Sequence, residues 1–467
     1  MSGPAGVQRR LRGAAGADRS IRSVRRTPIV LLALALVAVA PTGLARASVP
    51  EILVLDQHGH VALRPDRFLP PLAESELPPP DGASTTRPPA RADGAGSHAS
   101  AVARTVPSEL RRLQRSGALS ADRATAYEAT WANARQLVKK LKGTRRAELG
   151  AVLTNAEAQA SEGLLTASRV PVVLETIRRN AQWWASGPAL TYGRRVRFSG
   201  SRLVWQAYPG QGVQIQWLGT FGRMNQLFLA KGYDTEVGQM AAEIRSYAVQ
   251  RAGGIAWEYQ FQFGGGRPPW VSGLAQGTAI QAFARAAVRL KDPQWFGVAR
   301  DALGIFRTPP PSGVRVKDGD GAHYLAYSFA PGQRIFNAFF QAIIGLHDFA
   351  ALANDAQGRR LWLDGQREAA REVRQADTGS WSLYQPGVAS DIGYHKVLRD
   401  FVRGLCDRLE HDRQNEVQQL RVRRGPAAVL LRFDRWPDPA PYCLATQSLN
   451  RELYSRLRAM GLPTPWG

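Results

Sequence analysis

The sequence predicts a mainly α fold: an α/α toroid, complete or incomplete as a barrel, with small β-hairpin or sheet insertions. Three observations lead there. From about Pro107 to the C-terminus, segments with the apolar spacing of amphipathic helices follow one another with few interruptions. The connections between them carry Trp, Tyr and Gly, as loops gathered at one rim of a ring would. No fixed-period repeat runs through the chain, which argues against the common solenoids. An open helical array with hairpin insertions is the alternative arrangement.

Residues 1–47 read as a signal peptide. Seven Arg precede the apolar run Ile29 to Ala40, and Ala45-Arg46-Ala47 offers a small-x-small cleavage pattern. That run is too short to span a bilayer comfortably. Arg25-Arg26 suggests a twin-arginine signal, but Pro28 interrupts the usual continuation. No later segment reads as a membrane helix. The mature protein is therefore expected to be exported, secreted or held in the cell envelope, without a stable membrane span once the signal is cut. Residues 48–105 form a Pro/Ala/Arg-rich linker, expected to be disordered because it has too little apolar surface to offset its ordering entropy. Within it, Val49 to Leu69 alternates enough for a short strand pair or an extended arm.

An N-terminal helical region, 106–195, follows, with helices over Ala121 to Leu141, Arg145 to Ser161 and Val170 to Trp184. The main domain, 196–467, opens with strand-like alternation from Val196 to Trp217, broken by the turn Tyr208-Pro209-Gly210-Gln211-Gly212. Helices are predicted at Leu218 to Lys231 and Asp234 to Gln250. A β-like piece, Gly253 to Phe263, runs into Gly264-Gly265-Gly266. Further helices cover Ser272 to Leu290, Gln294 to Phe306, Arg334 to Leu352, Ala356 to Val373 and Lys396 to Glu410. A strand-like run, Pro426 to Trp436, and a helix over Leu449 to Met460 close the chain.

Composition narrows the partners. The chain of 467 residues carries a net charge of +23. The first 47 residues hold eight Arg against Asp18, so removing that excess of seven leaves the mature part near +16. Such a surface attracts polyanions, although an Ala/Arg/Gly-rich composition accounts for part of the excess. Nothing resembles a nucleic-acid recognition module. Two cysteines, Cys406 and Cys443, allow one disulfide or two buried thiols, and no zinc spacing is present. Lys317-Asp318-Gly319-Asp320-Gly321 lacks the further ligands of a calcium loop and reads as a solvated turn. No metal and no cofactor is expected, and a homodimer is compatible with the sequence.

The chemistry-bearing residues are phenols. Tyr327, Tyr384 and Tyr394 each sit near Gly, Pro or small polar residues, as on loops. They fall in YLAYSFAPGQRIFNAFFQAIIGLHD, WSLYQPG and GYHKVL, with Arg and His close by. An earlier block, RPPWVSGLAQG, places Trp270 to stack on a sugar ring and Gln276 to bond its hydroxyls, with Ser272 as a helix N-cap. The plainer reading is that Trp270 packs under the loop and the glycines serve helix contact.

These blocks, in this order, resemble the C-terminal domain of D-glucuronyl C5-epimerases, including bacterial-type relatives, over about Tyr208 to Leu409. The resemblance implies an isomerase that converts D-glucuronate to L-iduronate within an acidic, heparosan-like polysaccharide. A base removes the proton on ring carbon 5 and an acid returns one to the opposite face. It implies Tyr327 and Tyr394 as the opposed proton donor and acceptor, with Tyr384 assisting, and Asn337 matches the family's Asn with Ala338 in place of its Gly. Two positions differ. Animal members carry an acidic residue before the first tyrosine, here Ala326, and an Arg after the second, here Gln385-Pro386-Gly387. Arg334, His395 and Lys396 are the candidates to meet the substrate carboxylate instead.

Other readings use the same residues. A uronate polysaccharide lyase begins with the same proton abstraction and then expels the leaving group. A glycoside hydrolase needs two carboxylates, for which Glu258, Asp348 and Asp391 are candidates. A non-catalytic acidic-glycan binder would use the pocket without proton transfer.

Overall fold

The computed structural model describes residues 49–70, 104–424, 437–462 and 464. The signal segment, most of the linker and the whole strand-like run 426–436 lie outside them. The described chain is mainly helical with small sheets.

The 49–70 stretch, the opening of the expected linker, is ordered. Its alternating apolar residues form an antiparallel hairpin, β1 (Glu51–Leu55) and β2 (Val61–Pro65), whose turn is closed by Asp56 accepting from the backbone of His58 and His60. Four helices follow: α1 (Val106–Arg115), capped by Thr105, then α2 (Ala121–Lys140), α3 (Gly143–Ser161) and α4 (Val170–Ser186). Strands β3 (Arg195–Phe198), β4 (Trp205–Tyr208) and β5 (Gly212–Ile215) resolve the alternating stretch, and β1 pairs parallel to β3 to give the order β2-β1-β3-β4-β5.

The expected boundary at 195/196 is not a break in packing. Glu148 of α3 accepts from the backbone of Gly210 and Gly212 at 2.8 Å each, and Asn180 of α4 exchanges bonds with the Val213 backbone. These four bonds satisfy backbone groups of the β4–β5 turn and of β5 that burial would otherwise leave unpaired.

Next come α5 (Trp217–Leu229), α6 (Asp234–Ser246) and the hairpin β6 (Val249–Arg251) with β7 (Gly254–Ala256). Helix α7 (Gly273–Leu290) is capped by Ser272. The single helix expected over Gln294 to Phe306 divides into α8 (Gln294–Asp301) and α9 (Gly304–Arg307). The cause is close packing with the β6–β7 turn: a Cβ on Gly304 would lie 2.5 Å from the Ala252 carbonyl, and one on Gly254 2.0 Å from that of Asp301.

The Asp-Gly-Asp-Gly stretch forms the turn of a hairpin, β8 (Arg315–Asp318) and β9 (Gly321–Tyr324), with Asp318 and Asp320 paired to Arg334 and Arg371. Helix α10 (Phe336–Ala353) is long and apolar enough to cross a bilayer by composition, contrary to expectation for a segment after the signal, but it is mostly buried against α7 and α11. Helix α11 (Ala356–Ala376), the short pair β10 (Leu383–Gln385) and β11 (Val388–Ala389), α12 (Ile392–Arg424) and α13 (Ala440–Ala459) complete the chain.

The core is centred on α7 crossing α10. At the crossing a Cβ on Gly277 would lie 2.6 Å from the Ala342 Cα, and one on Gly345 would lie 2.0 Å from the Gly277 carbonyl. Only residues without a side chain allow two backbones this close. Farther along, Asp348 of α10 is buried and held by Arg408 at 2.6 and 2.9 Å, Arg285 at 3.2 Å and Gln281 at 2.7 Å. The two guanidinium groups hold its carboxyl well below the usual range, against the opposing effect of burial. Cys406 and Cys443 form a disulfide joining α12 to α13.

Candidate active site

Aromatic side chains from five segments line one pocket. The β4–β5 region supplies Tyr208 and Gln216, and the run after β7 supplies Tyr259, Phe261 and Phe263. Trp270 and Ser272 precede α7, Ala326 and Tyr327 follow β9, and Tyr384 comes from β10. Alternation explains the middle group: Tyr259, Phe261 and Phe263 are two residues apart and share a face. Tyr259 bridges to Trp270, their rings stacked 4.2 Å apart, and Phe263 bridges to Gly266. The cavity volume is about 40 Å³, space for a few waters.

The three tyrosines singled out by sequence come together. Tyr327, on the loop after β9, lies against Phe263 and Trp270, each with centroids 5.7 Å from its ring. Tyr384 lines the same pocket, on a strap (377–391) whose ends are drawn together by Asp377 pairing with Ser382 and by Ser390 donating to the Ser382 carbonyl. Tyr394 is on no loop: α12 begins earlier than its apolar pattern suggests, because Asp391 accepts from the Tyr394 backbone at 2.8 Å and caps the first turn. This brings the Tyr394 ring to 4.5 Å from that of Tyr384. The two hydroxyls are hydrogen-bonded to each other. Burial first, then the neighbouring phenols, pushes the Tyr394 hydroxyl far above its ordinary value. Burial also raises Tyr384, but the bond from Tyr394 opposes that rise. Of the pair, Tyr384 is the one better able to carry a phenolate.

The other candidates are scattered. Trp270 is buried in the pocket wall and donates its indole N–H to the Phe261 carbonyl at 2.8 Å. Gln276 is buried behind that wall, bonded to backbone at Trp257 and Ile255. Asn337 is buried one residue before the pocket-lining Ala338, and its Oδ1 has no protein partner. Arg334 is committed elsewhere, to Glu372 at 2.7 Å, Asp318 at 2.8 Å and Glu368. His395 is buried between Ser382 Oγ and the Leu449 carbonyl, at 2.9 Å each, and stacks on Trp381. Lys396 is exposed.

The carboxylates weighed for hydrolysis are also apart from the pocket. Glu258 is buried between Arg169 and Arg251, Asp348 is in the α7–α10–α12 network, and Asp391 caps α12. Among the described residues, those lining the pocket include no Asp, Glu, Arg or Lys. Sequence reasoning did not place Tyr208, Gln216, Tyr259 or Phe263 at the site. The alternation in GGIAWEYQFQF was the available signal for the last two.

Loops of a mainly helical chain thus converge on a phenol-rich pocket whose lining, among the described residues, carries no Asp, Glu, Arg or Lys. Residues 251–420 match the family described as D-glucuronyl C5-epimerase C-terminus, and this segment belongs to it. Among solved structures, the chain is similar to the endo-beta-1,4-glucanase CMCax from Acetobacter xylinum, at 13% identity and a TM-score of 0.33, covering 55% of this chain and 94% of that one. A likeness that slight carries no argument about fold or function.

Proposed function

We propose that the protein is an exported epimerase that inverts carbon 5 of D-glucuronate residues within an acidic polysaccharide, giving L-iduronate. The observation that carries this reading is that Tyr327 and Tyr384 line one pocket and Tyr394 packs on Tyr384, within a segment that matches the epimerase family. The proton on carbon 5 is weakly acidic, and its removal leaves an enolate-like charge on the substrate carboxyl. Tyr327, in the pocket lining, takes the carbon-5 proton on one face. Tyr394, kept protonated by burial, supplies the proton returned to the other face through Tyr384, which lines the pocket and is hydrogen-bonded to it. The C–H bond broken on one face and the C–H bond formed on the other leave substrate and product isomeric, with no net change in oxidation state.

Carboxylate recognition falls to hydroxyl and amide donors such as Gln216 and Ser272, because the pocket wall is uncharged and Arg334 is occupied. Lys396 and the strongly basic surface act at longer range, drawing in the polyanion. A pyranose ring exceeds the 40 Å³ cavity, so binding requires a wall to move. Tyr384 is that wall, because the strap beyond it is exposed from Pro386 to Ala389. Arrangement of the helices as an α/α toroid with the pocket at its rim, and export through the N-terminal signal, belong to the same proposal. The Cys406–Cys443 disulfide suits an oxidising compartment.

Incubation of the mature protein with heparosan and related glucuronate polymers in heavy water tests the reading. Deuterium at carbon 5 without an ultraviolet-absorbing unsaturated product is expected. An unsaturated product would make the protein a lyase. Absence of both, with binding retained, would leave a glycan-binding scaffold.

A further inference from the structure

The strap that carries Tyr384 is held from behind by the last helix, and the hold passes through two carboxyl groups. Asp377 ends α11 at the root of the strap, and Glu452 lies on α13. Ser448 Oγ, also on α13, lies 3.1 Å from Asp377 Oδ1 and 3.3 Å from Glu452 Oε1. One hydroxyl thus reaches both carboxyl groups, and its single proton can be given to only one of them. Two ionised carboxylates brought together in this way cannot bond to each other, since ionised oxygens only accept. Glu452 Oε2 is buried and meets no donor. A proton on one carboxyl turns a repulsive contact into a hydrogen bond.

We propose that Glu452 is a positioning residue for Tyr384: one proton shared between Glu452 and Asp377 ties α13 to the root of the strap and so holds the Tyr384 phenol against Tyr394. What the held phenol then does rests on the epimerase reading, but the hold itself does not. The neighbourhood supports this assignment. The strap's Trp381 donates to the Ser390 carbonyl at 2.6 Å and packs between His395 and Arg456, stacked on the first at 3.9 Å and covered by the second at 4.9 Å. His395 in turn donates to or accepts from Ser382 and the Leu449 carbonyl of α13. Helix α13 therefore contacts both the strap and the turn that bears Tyr394.

The charged groups facing Glu452 are Asp377 from α11 and Arg451 from α13. Arg456, and His395 and Arg399 on α12, stand around the same cluster. Burial, then the charge and hydrogen bond of Asp377, push Glu452 up to about 7, with Arg451 opposing. Burial lowers His395. A carboxyl with a raised folded pKa stabilises below its unfolded value and loses that contribution as pH rises through the folded one. The tie is thus complete in mild acid and weakens as pH passes about 7.

Amide hydrogen exchange of the full mature chain, wild type against E452Q, tests the hold without substrate. Protection of residues 378–391 is measured at pH 6 and pH 8.5 and referred to residues 273–290 of α7 at the same pH. The wild-type strap is expected to lose about tenfold in relative protection between the two, whereas E452Q, a neutral mimic of the protonated acid, keeps it. Equal relative protection in both proteins at both pH values overturns the proposal. Deuterium transfer to the sugar is read in parallel, and its alkaline limb should shift upward by about one pH unit in E452Q. If the strap responds as expected and no sugar proton exchanges in either protein, the epimerase reading fails and the hold stands.

Discussion

At its N-terminal end α10 faces the tyrosine pocket through Ala338, and farther along it carries Asp348 into a buried cluster of charges. Both places strongly perturb titratable groups. At the pocket, burial and then the neighbouring phenols raise Tyr394, and no Asp, Glu, Arg or Lys is in the lining among the described residues. At Asp348 the same burial is outweighed by two guanidinium groups, an amide and His347, which Asp412 holds from the other side at 2.8 Å. The first arrangement leaves the phenols with no charged side chain in the pocket lining, and the second offsets a buried charge with guanidinium groups. A perturbed pKa therefore points to a candidate site only where it lies beside a cavity and lacks such compensation.

The contrast can be broken most sharply at Tyr394. Replacing it by Phe keeps the ring and removes the proton, so deuterium incorporation should fall by roughly 10²- to 10⁴-fold while thermal unfolding and glycan binding change little. Full incorporation in Y394F would move the acid elsewhere. At the charged end, Asp348→Asn leaves Arg285 and Arg408 buried without their counterion. It should cost about 3–5 kcal/mol in a denaturant titration, with residual exchange activity in whatever fraction stays folded. Asp348 has a depressed folded pKa, so its contribution is present above the unfolded value near 4 and is lost as pH falls through the folded one. Acid unfolding of the wild type should steepen below about pH 4, and D348N should lack that component. The smallest of these effects lies between the two ends. Gly277→Ala forces α7 off α10 and should lower stability by about 1–3 kcal/mol. It should slow exchange only as far as the pocket wall carried by α7 and α10 shifts. A neutral G277A would mean the crossing is looser than its backbone contacts indicate.

Much of this organisation was legible in local sequence. Apolar spacing located most helices, because a helix must turn one stripe inward whatever it packs against. The Pro-Trp-x-Ser, Tyr and Tyr-His blocks, taken in order, identified the family segment that residues 251–420 confirm. Alternation in GGIAWEYQFQF already placed Tyr259 and Phe263 on one face, though not which face.

What local pattern could not supply was pairing between distant segments. The hairpin from the linker joins β3 across more than a hundred residues, and α8 parts from α9 because a turn from β6–β7 is pressed into it. Arg334 reads as a free cation in sequence, but three carboxylates from β8 and α11 claim it. His395 likewise reads as a site residue beside Tyr394, while its buried partners come from the strap and α13. Sequence by itself determined the helical character, the phenols and their order. Only the tertiary structure decided which phenols share a pocket and which charges are already spent, because those outcomes depend on through-space distances that no local spacing encodes.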